Sequence, residues 1–204
     1  MIYIKNVCIF VKNATIMIHK SFSKLLKKVA PFSDNELAAA DHFFEVAKVK
    51  KNEHYLREGQ TNGKIGFVID GVFRCYYNIK NKEITTEFLL PGSIVAGMLS
   101  FLTNEPQKEN IVALENSQLI TITREDLFKL YSKNWKWQQA GRILTEMNFI
   151  RIEKRSICLQ TLTAKERYEE LLKEMPGLID SVPLQYIASY LGMSPETFSR
   201  IRSK

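Results

Sequence analysis

Residues 184–203 read LQYIASYLGMSPETFSRIRS, a pattern of two short helices joined at Gly192. The apolar residues have helical spacing on both sides of Gly192, which suits a tight turn with positive φ. Ala188 is the small residue that two closely crossing helices need. Ser194 followed by Pro195 is typical of the cap and first position of a helix. The pattern predicts a helix-turn-helix, and a purely structural three-helix cap is the alternative.

The second of these helices keeps its polar residues on an outer face. In a helix-turn-helix, the start of the second helix enters the major groove of DNA and contacts base edges. Arginines at its end supply the positive charge that attracts phosphates. We therefore predict double-stranded DNA as the partner, contacted by Ser194, Glu196, Thr197, Ser199, Arg200, Arg202 and Lys204.

The middle of the chain alternates with a period of two from Glu45 to Ile122 and is rich in β-branched and aromatic residues. Short runs of this kind, separated by glycines, are typical of antiparallel strands. Asp70-Gly71 predicts a type I′ hairpin, and Asn81-Lys82 and Leu90-Pro91-Gly92 predict two further turns. The spacing indicates an antiparallel β-roll or jelly roll.

Helical signals flank this region. Ser33 to Glu36 form a capping box that opens a short helix through about Phe44, and Thr163 to Glu166 form a second. Residues 134–159 contain a single glycine and no proline, which predicts one long helix. Its apolar stripe has coiled-coil spacing and predicts a two-fold homodimer seam, with packing against its own barrel as the alternative. The predicted seam comprises Trp137, Ala140, Leu144, Met147, Ile150 and Ile157.

These elements place the chain in the α+β class. We expect an N-terminal tail (1–20), an antiparallel β-roll or jelly-roll sensor domain (21–132), a dimerisation helix (133–160) and a helix-turn-helix domain (161–204). A hairpin wing after the last helix is expected to be reduced or absent, since the sequence stops at Lys204. Either Met1 or Met17 could be the start of translation.

Composition narrows the functional classes. The 204 residues are 45% hydrophobic and 25% charged, as in an ordinary globular protein, and carry a net charge of +7. No stretch approaches the roughly 20 apolar residues of a membrane span, so we expect no membrane partner. Three scattered cysteines and three scattered histidines indicate neither a disulfide framework nor a metal site. We expect a cytoplasmic protein without catalytic residues, metal or cofactor.

The chain resembles the Crp–Fnr superfamily of bacterial transcription regulators over nearly all of its length after residue 20. The residues that carry the resemblance are Leu56-Arg57-Glu58-Gly59, Phe67-Val68-Ile69-Asp70-Gly71, Leu90-Pro91-Gly92-Ser93-Ile94-Val95 and Ser194-Pro195-Glu196-Thr197-Phe198-Ser199-Arg200. The resemblance implies a homodimeric DNA-binding regulator with RNA polymerase as a further candidate partner. It also implies base contacts by Glu196 and Arg200. Pro195 replaces the first recognition arginine of the family, so the preferred DNA sequence is expected to differ.

The resemblance also locates an effector pocket in the β-roll. Members that bind cyclic AMP carry Gly-Glu and, some ten residues later, Arg-Ser, whereas this chain has Ala96-Gly97 and Gln107-Lys108-Glu109-Asn110. Lysine lacks the fork with which arginine binds a phosphate bidentately, so we do not expect cyclic AMP as the effector. The identity of the effector stays open. The four-cysteine iron–sulfur pattern and a haem ligand pair are also missing. The predicted pocket comprises Ala96, Gly97, Met98, Leu99, Ser100, Lys108 and Asn110.

Two other classes remain as alternatives. The β-roll could dimerise and use a degenerate helix-turn-helix to bind another protein. A cupin-like enzyme would need a cluster of histidines and carboxylates inside the barrel, where His42 and His54 are the nearest histidines.

Overall fold

The computed structural model describes residues 20–203. Eight strands lie between an N-terminal pair of helices and a C-terminal run of six helices, with one further helix inserted in the strand region. The strands are β1 (Phe44–Val49), β2 (His54–Leu56), β3 (Lys64–Asp70), β4 (Phe73–Ile79), β5 (Lys82–Leu89), β6 (Ile94–Val95), β7 (Glu109–Ala113) and β8 (Ser117–Thr123). The helices are α1 (Lys20–Val29), α2 (Asp34–Ala40), α3 (Met98–Thr103), α4 (Arg124–Lys133), α5 (Trp135–Thr161), α6 (Ala164–Glu174), α7 (Leu178–Ser181), α8 (Leu184–Tyr190) and α9 (Pro195–Arg202).

The strands form two antiparallel four-stranded sheets with the orders β1-β8-β3-β6 and β2-β7-β4-β5. Their facing sides enclose a core of buried side chains, among which Val68, Phe73, Ile111 and Leu119 are fully shielded from solvent. The alternation of inward and outward residues follows from the two-residue period of strands. The predicted α+β class and jelly-roll architecture are confirmed.

The structure has turns at two of the three predicted places: one joins the paired strands β4 and β5, and the other closes a tight loop before β6. The turn predicted at Asn81-Lys82 lies one residue earlier, because Lys82 already belongs to β5. Lys80 and Asn81 both have positive φ and link β4 to β5, as a type I′ hairpin requires. Leu90 accepts a 2.9 Å hydrogen bond from Ser93 across the turn at Pro91-Gly92. The prediction of a hairpin at Asp70-Gly71 is wrong, because β3 and β4 belong to different sheets. Gly71 instead lies where the chain crosses between sheets and where a Cβ would collide with Ser117.

The first third of α5 packs on its own β-roll. Trp137 and Ala140 are buried in a core with α1 and α2, and the Trp137 ring lies 4.5 Å from that of Phe32. The Lys136 ammonium donates to Glu36, 2.7 Å away, at the predicted capping box of α2. Trp137 and Ala140 therefore contribute to the core of the protomer rather than to an exposed seam, so this part of the predicted stripe follows the barrel-packing alternative.

The rest of α5 is much more open. Leu144 is half-buried against the same core, whereas the three later residues of the predicted stripe are about half exposed. The sequence prediction also missed three exposed apolar residues of this segment. The exposed apolar surface of α5 after Leu144 comprises Met147, Phe149, Ile150, Ile152, Ile157 and Leu159.

The C-terminal helices pack around a further core, which also includes Val72 and Phe88 of the β-roll. Thr163 and Glu166 form the predicted capping box at the start of α6. Leu171 of α6 is buried with Ile187 of α8 and Phe198 of α9, and the Phe198 ring meets Tyr168 edge-on at 5.5 Å. Within residues 20–203, no helix is long and apolar enough to cross a membrane.

Candidate nucleic-acid interface

Helices α8 and α9 form the predicted helix-turn-helix geometry. The turn residue Gly192 has φ +65°, and the amide of Met193 donates a 3.0 Å hydrogen bond to the carbonyl of Ala188. Ala188 is fully buried at the crossing, where its small side chain lets the two helices approach. The sequence pattern therefore produces the backbone arrangement that it predicts.

The start of α9 is capped by its own sequence. The Ser194 hydroxyl accepts a hydrogen bond from the amide of Thr197 at 3.2 Å, and Pro195 occupies the first helical position. A hydrogen bond with Ser194 lowers the pKa of Glu196 below its ordinary value, and the helix dipole also favours negative charge at this end. Glu196 is therefore ionised at neutral pH and can accept a hydrogen bond from a base amino group.

The predicted DNA-contact residues that the structure describes lie on α9 or at its cap and differ in solvent exposure. Glu196, Ser199, Arg200 and Arg202 are exposed, whereas Thr197 is half-buried. Ser194 is exposed but its hydroxyl is engaged in the cap. Lys204 lies outside the described residues. The exposed set combines one carboxylate, one hydroxyl and two guanidinium groups.

Sequence reasoning missed a contact between this helix pair and the β-roll. Helix α8 packs along β5, and the side chain of Arg74 on β4 reaches across to the ring of Tyr186, 3.7 Å from the guanidinium carbon to the ring centre. Ser189 meets the backbone of β5 at Thr85, whose amide donates to its hydroxyl at 2.9 Å. The available signals were an arginine within an apolar strand and two polar aromatic residues, Tyr186 and Tyr190, on one helix face.

Helix α5 contacts the same junction. Arg155 donates a 2.8 Å hydrogen bond to the carbonyl of Tyr190 and stacks over its ring at 3.7 Å. One turn earlier, Arg151 forms an ion pair with Glu87 of β5. Burial lowers the pKa of both arginines, which nevertheless stay charged at neutral pH. The long helix thus links the β-roll to the helix-turn-helix through two adjacent arginines.

The predicted effector-pocket residues are not among those that line the cavity beside the loop before β3. Leu99 and Lys108 are exposed, Ala96 and Met98 are half-buried, and Gly97 is buried. Ser100 and Asn110 are buried and accept hydrogen bonds from the amides of residues 62 and 58 in the loop before β3. A cavity of about 540 Å³ instead lies along that loop, lined by Tyr55, Leu56, Gly59, Gln60, Thr61, Asn62, Gly63 and Lys64. Ser100 and Asn110 therefore hold that loop, and the effector role of the seven residues stays a prediction.

The space beside Gly97 is occupied by the side chain of Gln107. Gln107 is buried and lies against Gly97, where a Cβ would collide with its carboxamide. The Gln107 side-chain amide donates to the carbonyl of Glu109 at 3.1 Å, and the backbone of Gln107 exchanges hydrogen bonds with residues 59 and 60. The space next to Gly97 is therefore filled by a neutral side chain.

The histidines weighed for a cupin-like metal site lie apart. His42 contacts the ring of Phe43, and Nε2 of His54 lies 3.0 Å from the hydroxyl of Tyr76. Burial and the neighbouring Arg57 lower the pKa of His54, which favours the neutral ring. Among the residues that the structure describes, no three His, Cys, Asp or Glu side chains are grouped as metal ligands.

The two-sheet β-roll is a cyclic-nucleotide-binding-like domain, which a long helix joins to the C-terminal helix pair. Residues 46–134 match the cyclic nucleotide-binding domain family. The chain has the fold of the Crp–Fnr superfamily regulators, which confirms the resemblance seen in the sequence. No curated protein sequence matches the chain.

Three solved structures illustrate the likeness. FixK2 from Bradyrhizobium japonicum is 20% identical with a TM-score of 0.68, over 78% of this chain and 83% of that one. The Thermus thermophilus catabolite activator protein is 20% identical with a TM-score of 0.55, over 88% and 85% of the two chains. A mutant of CooA from Carboxydothermus hydrogenoformans is 15% identical with a TM-score of 0.61, over 95% and 84%.

Proposed function

We propose that this protein is a cytoplasmic, homodimeric, sequence-specific DNA-binding transcription regulator. The observation that carries the proposal is the polar face of α9, which presents Glu196 and Arg200 to solvent four residues apart on a helix held by a helix-turn-helix. Arginine can bind the O6 and N7 atoms of guanine bidentately, and glutamate can accept from the cytosine amino group. Arg202 lies close by in sequence and suits a phosphate contact.

Dimerisation supplies the second half of the DNA site. The exposed apolar residues of α5 span about three turns of the helix and supply apolar surface for pairing with a second copy of the same helix in a two-fold dimer. Two recognition helices about 34 Å apart would then enter successive major grooves of a pseudo-palindromic site. RNA polymerase is a further partner in this proposal, because a regulator bound near a promoter meets it there.

The effector in this proposal is not cyclic AMP. A cyclic phosphate needs a positive partner, whereas the neutral Gln107 fills the space beside Gly97, and Lys108 is exposed to solvent. Isothermal titration of the protein with cyclic AMP should show no binding. A stoichiometric binding isotherm would overturn this part of the proposal.

Selection of bound DNA from a random pool tests the central proposal. We expect enrichment of one sequence with inverted-repeat symmetry, and a pool that shows no enrichment would refute sequence-specific binding. An Arg200→Ala variant should then bind the selected site about 5- to 150-fold more weakly and discriminate less at one base pair. Arg142→Ala is the matched control, because Arg142 is an exposed arginine on α5. Unchanged affinity and sequence preference in the Arg200 variant would remove Arg200 from base recognition.

A further inference from the structure

Helix α8 packs along the edge strand β5 through apolar contacts, including the Phe88 and Tyr190 rings 5.3 Å apart, and through one polar residue, Ser189. The Ser189 hydroxyl accepts from the amide of Thr85 at 2.9 Å and lies 3.3 Å from the carbonyl of Glu83, to which it can donate. Unpaired backbone groups at a sheet edge are costly to bury without a partner. Ser189 supplies that partner, so the helix-turn-helix is aligned along the free edge of the β2-β7-β4-β5 sheet.

Arg74 lies at the centre of this contact. Its side chain is only 2% exposed, and its guanidinium is held by Thr85 (Nε to Oγ1, 2.8 Å) and Glu83 (Nη1 to carboxylate, 2.6 Å). The same group lies 4.4 Å from the ring centre of Tyr76 and 3.7 Å from that of Tyr186. Three of these four partners belong to the β-roll, and Tyr186 belongs to α8. A buried cation needs such compensation, so Arg74 favours the position of α8 that brings Tyr186 over it.

The contact leaves the DNA-facing surface free. Tyr186, Ser189 and Tyr190 have the spacing of one helix face, and that face meets β5, the Arg74 side chain and α5. Arg200 and Glu196 on α9 remain exposed in the same arrangement. The β-roll therefore holds the helix pair without covering the groups assigned to base recognition.

We propose that Arg74 is a positioning residue that fixes the helix-turn-helix on the β-roll and thereby determines the half-site spacing that the dimer accepts. This inference rests on the proposed function. Two recognition helices held rigidly bind two half-sites as one preorganised unit, and only when the half-sites have the matching separation. When the helices are loosely held, the preference for one half-site separation decreases, because each helix can reach half-sites at other separations with a similar free energy.

Four variants separate positioning from general damage. Arg74→Met keeps side-chain length and removes the charge, and Tyr186→Leu keeps an apolar side chain and removes the ring. Tyr186→Phe retains the ring over Arg74 and should behave as the wild type. Lys82→Met removes a positive charge from an exposed position on the same hairpin and controls for nonspecific loss of DNA attraction.

The first measurement is hydrogen exchange of the backbone amides of residues 184–203 in the full-length protein. Losing a desolvated cation–π contact should raise the local opening equilibrium about tenfold in Arg74→Met and Tyr186→Leu, but not in Tyr186→Phe or Lys82→Met. Unchanged exchange in both of the first two variants would overturn the positioning role of Arg74, whatever the DNA results are.

The second measurement is affinity for the selected palindrome and for versions with one or two base pairs added or removed between the half-sites. The wild type should favour one spacing by about tenfold or more, whereas Arg74→Met and Tyr186→Leu should differ by less than about threefold among spacings. Increased exchange with unchanged spacing preference would overturn the spacing role. If the wild-type protein enriches no DNA, the proposed function fails and the spacing role fails with it, while the exchange result still decides whether Arg74 holds the helix pair.

Discussion

Replacement of Gly192 by alanine should destabilise the helix-turn-helix by a predictable amount. Gly192 has φ +65°, and residues other than glycine adopt this left-handed region at a cost of about 1–2 kcal/mol. A Cβ at this position would lie 3.3 Å from Cδ2 of Leu159, a flexible side-chain end that can shift slightly. The backbone therefore accounts for most of the expected loss, which for a chain of 204 residues lowers the Tm by about 2–8 °C.

A series of three glycine variants, followed by thermal unfolding with circular dichroism, checks this reasoning. Gly177 has φ +84° and nothing within 4 Å of a Cβ, so Gly177→Ala should show the backbone cost without the Leu159 contact. Gly63 also has open space around a Cβ but lacks a positive φ in the left-handed range, so Gly63→Ala should not lower the Tm. Equal Tm values for Gly192→Ala and Gly63→Ala would refute the argument from backbone conformation.

Three further predictions concern the core, an ion pair and the dimer. Phe198 is 1% exposed, so Phe198→Ala should cost about 3–5 kcal/mol in urea unfolding and Phe198→Leu much less; equal losses would contradict the packing argument. Hydrogen bonds from Lys136 and Ser33 lower the pKa of Glu36 to about 2, so its stabilising effect is present above its ordinary pKa near 4.5 and disappears as the pH falls towards 2. Glu36→Gln should therefore be less stable than the wild type at pH 7, and the difference in stability should shrink over that acid range; a constant difference would exclude the ionic contribution. In the proposed homodimer, Ile150→Glu should convert dimers to monomers in analytical ultracentrifugation, whereas Val46→Glu, at an exposed apolar position on β1, should leave the oligomeric state unchanged; an Ile150→Glu variant that is still dimeric would exclude this surface of α5.

Local sequence signals predicted local geometry well. Ser33 with Glu36 and Thr163 with Glu166 form the capping boxes that their spacing predicts, because both partners lie within one turn of the same helix. Gly192 forms the predicted turn because the positive φ needed there is a property of this one residue. The Asp70-Gly71 prediction was wrong because a turn signal specifies a change of direction but not the sheet that the next strand joins.

The sequence pattern could not predict contacts between segments that lie far apart in the chain. The stripe of α5 has one continuous spacing, yet Trp137 is buried and Ile150 is exposed, because only the first turns of the helix pack into the core that contains α1 and α2. Arg74 and Tyr186 are separated by more than half of the chain, and no periodicity connects them. Gln107 occupies the space beside Gly97 because both residues are brought together by the fold.

The pairing of the first strand with the last has a consequence for synthesis on the ribosome. Phe44 of β1 pairs with Ile122 of β8, which is translated 78 residues later. At about 5–20 residues per second, β1 waits roughly 4–16 s for its partner strand, longer than collapse of a short chain requires. During that interval its apolar side is open to chaperones and to other nascent chains, so translation rate and chaperone supply should influence the yield of folded protein more strongly than the stability of the finished β-roll suggests.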